Sequence, residues 1–132
     1  MPASEPRMTI LVVEDHTNVR MFMTDFLDES GFKVFEAVSA DEALTLLEGR
    51  PDVQAVVTDI EMPGSMNGIK LTHEIRHRWP GIGVVVTSGQ QWPGPNDLPE
   101  GVPFIAKPYL LGTVITAIRQ IAILNVVERT SS

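Results

Sequence analysis

Four short stretches of the 132-residue chain carry side chains that could do chemistry. Glu14-Asp15 closes the apolar run MTILVVED. Asp59 closes VQAVVTD, with Glu61 just beyond it and Met62-Pro63-Gly64 stopping regular structure. Thr87-Ser88-Gly89 ends IGVVVTSG, and Lys107-Pro108 ends PFIAKP. Each stretch alone has an ordinary explanation: an acid starting a turn, a solvated acidic pair, a hydroxyl satisfying the backbone, a surface lysine. Brought together they mean something else. Clustered carboxylates repel, and burying their charge is costly unless a cation or protons relieve it. Oxygen ligands suit a hard divalent cation, Mg²⁺ before others. The chain has no cysteine, and His16 is the only histidine near these acids, so zinc is the weaker match. A metal beside a carboxylate and a lysine makes a phosphoryl site, where both cations neutralise phosphoryl oxygens while an in-line nucleophile attacks. Asp59 can be that nucleophile, giving an acyl phosphate.

The surrounding elements decide whether these stretches meet. MTILVVED (8–15) is too short for a helix and rich in β-branched residues, so it reads as a buried strand. A helix follows, with Thr17 or Asn18 as its cap and Val19, Phe22, Met23, Phe26 and Leu27 at helical spacing, ended by Gly31. FKVFEAV (32–38) is a second strand. Ser39 with Glu42 three residues on is a capping signature for the helix that Gly49 closes. VQAVVTD (53–59) is the third strand, and a helix from Asn67 to Trp79 is stopped by Pro80-Gly81. IGVVVTS (82–88) is the fourth strand. The next stretch, QQWPGPNDLPEGVP, holds four prolines, so a helix there is short or absent. PFIAK (103–107) is a brief fifth strand, followed by a last helix over LLGTVITAIRQIAIL. Residues 1–7 and 126–132 read as flexible flanks of one domain over 8–125.

Alternating strands and helices imply a parallel sheet with helices on both faces. Near-continuous apolar strands agree, since they are buried on both sides. In such sheets, sites form at the carboxyl ends of the strands. All four chemical stretches lie at such ends.

Bulk properties narrow the function. A net charge of −7 argues against nucleic acid or an anionic membrane as a direct partner. No apolar run approaches the roughly 20 residues that span a bilayer. The start, MPASEPRMTI, does not read as a signal peptide, and the lack of cysteine fits a reducing compartment, so a cytoplasmic location is expected.

The set ED (14–15), D-x-x-MP (59–63), TSG (87–89) and KP (107–108), in this order and each at a strand end, resembles the receiver domain of two-component response regulators. The likeness runs from Met8 to about Asn125. It implies a flavodoxin-like, doubly wound five-stranded sheet in the order 2-1-3-4-5. It implies that Asp59 is the phosphoacceptor, that Asp15, Asp59 and the Glu61 main-chain carbonyl bind Mg²⁺, and that Glu14 acts indirectly. Lys107 would pair with the phosphoryl group, with Pro108 holding it through a cis peptide bond. Ser88 would be the switch hydroxyl, with Thr87 as runner-up, and Phe104 the aromatic that follows it. Phosphorylation would then bias a two-state element. The implied partners are a sensor histidine kinase or histidine phosphotransfer protein and a downstream protein, reached by contact or relay. Beyond the core stripe of the last helix, Ala122 and Leu124 leave room for a homodimer or partner surface. Two other readings stand beside this one: a phosphorylation-incompetent scaffold, and an Mg²⁺-dependent aspartyl-phosphate phosphatase. The departures are a β3–α3 loop one residue longer than common, Glu14 for aspartate, Phe104 without a hydroxyl, and the missing or short helix before the fifth strand.

Overall fold

A computed structural model describes the backbone of residues 7–64 and 66–130 and the side chains of residues 7–64 and 66–121. Residues 1–6 and 131–132 of the expected flanks, and the side chains of Ala122 and Leu124, lie outside the described residues. The elements run β1 (Thr9–Val13), α1 (Thr17–Glu29), β2 (Lys33–Ala37), α2 (Ala40–Gly49), β3 (Ala55–Asp59), α3 (Gly68–Arg78), β4 (Gly83–Ser88), β5 (Phe104–Ala106) and α4 (Leu111–Thr130). Residues 126–130, assigned from sequence to the flexible flank, continue α4.

All five strands are parallel, in the order β2-β1-β3-β4-β5. This is the flavodoxin-like order that the resemblance implied. Strand alternation divides the apolar residues between two cores. Leu11, Val13, Val56, Val84 and Val86 face α2 and α3, packing with Ala43, Leu47, Leu71 and Ile75. Ile10, Val12, Val57 and Val85 face α1 and α4, packing with Met23, Leu27, Val114, Ile118 and Ile121. With both faces covered, β1, β3 and β4 are buried along their whole length.

Local signals set most helix starts. Ser39 accepts the Glu42 N–H at 3.1 Å, while Glu42 Oε1 accepts the Val38 N–H at 3.1 Å. Asn67 Oδ1 accepts the Lys70 N–H at 3.0 Å. The cap of α1 differs from expectation: it is His16, whose Nδ1 accepts the Val19 N–H at 3.5 Å. Thr17 already lies inside the helix as its first residue.

No helix forms between β4 and β5. Pro93, Pro95, Pro99 and Pro103 break this segment, which instead takes two turns (Asp97 N–H to Gly94 O, 3.1 Å; Val102 N–H to Pro99 O, 3.3 Å). His73 and Arg76 of α3 reach it from outside, at the carbonyls of Asp97 (2.6 Å) and Glu100 (3.4 Å).

Candidate functional site

The strand order puts β1, β3 and β4 side by side, so their carboxyl ends converge. Asp59 is the last residue of β3 and is 5% exposed. Glu14 is also buried, and Asp15 is exposed at the rim. One carboxylate oxygen from each of Glu14, Asp15 and Asp59 lies within 4.8 Å of the others. Lys107, just past β5, reaches back between them. Its Nζ is 3.3 Å from Glu14 Oε1 and 3.4 Å from Asp59 Oδ1. The Lys107–Pro108 peptide is cis. An open cleft of about 440 Å³ lies over these groups, bounded also by Glu61, Gly89 and Gln90.

The electrostatics follow from this crowding. Burial raises the Asp59 pKa, the Glu14 charge raises it further and Glu61 adds a smaller push; Lys107 opposes them, and the result is about 7. Burial disfavours the Lys107 ammonium, but the charges of Asp59 and Glu14 outweigh it and lift its pKa above the usual lysine value. Asp59 Oδ1 is buried and has no hydrogen bond among the described residues. One lysine therefore leaves the three acids short of positive charge, and Asp59 Oδ1, whose Lys107 contact is an ion pair at 3.4 Å, keeps acceptor capacity to spare. The donors are all oxygens. A hard divalent cation such as Mg²⁺ fits this set.

Ser88 and Thr87 both end β4 and both are buried. The Ser88 hydroxyl donates to Glu61 Oε2 and accepts the Gln91 N–H at 2.9 Å. The Gly89 N–H donates to Glu61 Oε1 at 3.3 Å. Phe104 is half-buried in β5, and Trp92 packs edge-on against it with ring centroids 5.4 Å apart.

Three participants were not singled out from the sequence. Arg20, on α1, donates to the Glu14 main-chain carbonyl at 2.9 Å and to Glu36 of β2 at 2.8 Å, fixing the β1–α1 loop. Tyr109 lies half-buried beside Glu14 and Asp59, and burial raises its pKa. Gly68 opens α3 directly against the end of β3: a Cβ there would sit 2.1 Å from the Asp59 carbonyl oxygen. Only Gly68 had a usable signal, as a glycine right after a helix cap.

The sequence profile of the response regulator receiver domain matches residues 10–119, and the chain belongs to this family. Hydrogenase transcriptional regulatory protein HoxA of Cupriavidus necator is 36% identical over 123 residues, covering 89% of this chain and 24% of that protein. Sensor kinase CckA of Brucella abortus is 35% identical over 118 residues, covering 85% of this chain and 12% of the kinase. The chain thus spans a quarter or less of these two relatives. Among solved structures, the receiver domain of hybrid histidine kinase CckA is 29% identical, with a TM-score of 0.73 and 86% and 98% of the two chains covered. A CheY-like receiver domain protein from Methanospirillum hungatei shares the fold at 22% identity, with a TM-score of 0.81 over 93% and 99% of the chains. Receiver domains are signalling domains that bind Mg²⁺ at an acidic pocket and interact with histidine kinases and downstream targets. Among the described residues no helix is long and apolar enough to cross a membrane.

Proposed function

We propose that Asp59 accepts a phosphoryl group from a phosphohistidine of a sensor kinase or phosphotransfer protein, and that the chain signals by the resulting change of shape. The observation carrying this reading is the convergence of buried Asp59 with Glu14, Asp15 and Lys107 at one sheet edge. A carboxylate oxygen of Asp59 attacks phosphorus; the P–O bond forms as the P–N bond breaks, and the departing imidazole takes a proton from solvent. Lys107 stays within reach of the phosphoryl oxygens and offsets their charge. Asp15, Asp59 and the Glu61 main-chain carbonyl would hold Mg²⁺, with Glu14 orienting the set through the Lys107 and His16 contacts. Bound there, Mg²⁺ supplies positive charge to phosphoryl oxygens.

Ser88 is the switch hydroxyl in this reading, with Thr87 as the alternative, and Phe104 is the aromatic that responds. Output runs through a protein contact or onward relay. Membership of the receiver family and the intact acid set favour this over a scaffold or a phosphatase. That one relative is a sensor kinase and another a transcriptional regulator supports a place in a histidine–aspartate relay.

Intact mass after incubation with acetyl phosphate tests the acceptor. A phosphoryl adduct is expected with Mg²⁺, absent without it and absent in Asp59→Asn. An adduct of equal yield in Asp59→Asn would remove Asp59 from the role. No adduct, together with no binding of Mg²⁺ or beryllofluoride, would favour the scaffold.

A further inference from the structure

The Glu61 carboxylate occupies the groups that a switch would need free. One oxygen takes the Ser88 hydroxyl proton and the other takes the Gly89 N–H. Ser88 is 1% exposed, so its single donor has no bulk water to turn to. Its acceptor side is engaged as well, by the N–H groups of Gln91 at 2.9 Å and Gln90 at 3.4 Å. A carboxylate held by one hydroxyl and one backbone N–H is held as an anionic oxygen cluster would be. Glu61 follows Asp59 by two residues, and both border the same cleft.

We propose that Glu61 is a resting-state clasp: its carboxylate holds Ser88 O–H and Gly89 N–H, and a phosphoryl group on Asp59 captures Ser88 only by displacing it. The proposal rests on the assignment of Asp59 as acceptor and Ser88 as switch. It makes Glu61 a positioning residue that sets the threshold of the switch through its side chain, separately from its main-chain carbonyl. It also ties release to the surface. The Ser88 hydroxyl anchors Gln91, the next residue is Trp92, and Trp92 lies on Phe104. When Ser88 leaves Glu61 and Gln91, the aromatic pair loses the support on its N-terminal side.

Beryllofluoride with Mg²⁺, as a phosphoryl mimic, is titrated against wild type, Glu61→Ala, Ser88→Ala and the double variant, following Trp92 fluorescence in a Trp79→Phe background. Alanine at position 61 keeps the main-chain carbonyl. Glu61→Ala should bind about tenfold more tightly, the scale of one charge-assisted hydrogen bond. In the Ser88→Ala background this gain should shrink to about twofold or less. No gain from Glu61→Ala overturns the clasp. A gain of equal size in both backgrounds also overturns it, assigning Glu61 to charge repulsion alone. The Gly89 amide proton of the ligand-free protein gives an independent reading: it should move upfield in Glu61→Ala, and an unmoved resonance sinks the proposal. Should beryllofluoride bind none of the four proteins, the acceptor assignment of Asp59 fails, while the amide shift still decides the contact.

Discussion

Asp59 sits in an environment that resists its charge, and this has a measurable consequence. An aspartate in the unfolded chain ionises near pH 4. In the fold its pKa is lifted to about 7, by burial first and by Glu14 next. Between those values the folded protein keeps a proton that the unfolded chain gives up. Stability of the metal-free protein is therefore fully present below about pH 4 and declines as pH rises towards 7. Asp59→Asn abolishes this titration. The thermal midpoint of the variant should gain on wild type by about 9 °C between pH 5 and pH 8 in chelator. Parallel melting curves for the two proteins across that range would show that Asp59 is not perturbed. The roles of single residues were unevenly legible. Asp59 and Lys107 announce themselves by standing at strand ends. The contact of Glu61 with Ser88 does not, because it joins the loop after β3 to the end of β4, 27 residues apart, and no local pattern encodes it.

At the scale of elements, the entry of α3 is the tightest point. Gly68 donates its N–H to the Ile60 carbonyl at 3.0 Å, and the path of the chain leaves no room for a side chain. The three nearest neighbours of a Cβ at Gly68 would be backbone atoms of Asp59 and Ile60, which cannot rotate away. Gly68→Ala should cost about 3 kcal/mol, read as a lower urea midpoint. Gly112, near the start of α4, has open space around it, and Gly112→Ala should instead stabilise by about 0.5 kcal/mol. Equal effects of the two substitutions would contradict this packing. The elements themselves were largely legible. Strands buried on both faces show as unbroken apolar runs, Ser39 and Glu42 mark the start of α2, and the prolines between β4 and β5 exclude a helix there. The α1 cap was not, since Thr17 and Asn18 are better capping types than His16, yet it is His16 that holds the extended backbone and accepts the Val19 N–H. Arg20 was equally hidden, because its role depends on β2 lying beside β1.

For the whole molecule, the sheet order turns an even distribution of acids into a local excess. The chain carries 17 acidic residues against 10 lysines and arginines, and three of those acids, Glu14, Asp15 and Asp59, come together in one cleft. A cation that binds only this folded cluster stabilises the fold by mass action. Mg²⁺ at about a hundred times its Kd should add about 2.7 kcal/mol, seen as a higher thermal midpoint at pH 7.5. Asp15→Asn should lose most of that gain. A shift of the same size in the variant would place the cation elsewhere.

The two signs of charge in the cleft are anchored with unequal firmness. Asp59 ends β3 and Glu14-Asp15 follow directly on β1, two strands that are each paired on both sides within the sheet. The lysine hangs from β5, a three-residue edge strand paired with β4 alone. Local opening in proteins begins where pairing is least. The acidic half of the cleft thus rests on the centre of the sheet, while the basic half rests on its edge, tied to β4 by short pairing that ends with the Lys107 N–H on the Ser88 carbonyl at 2.8 Å.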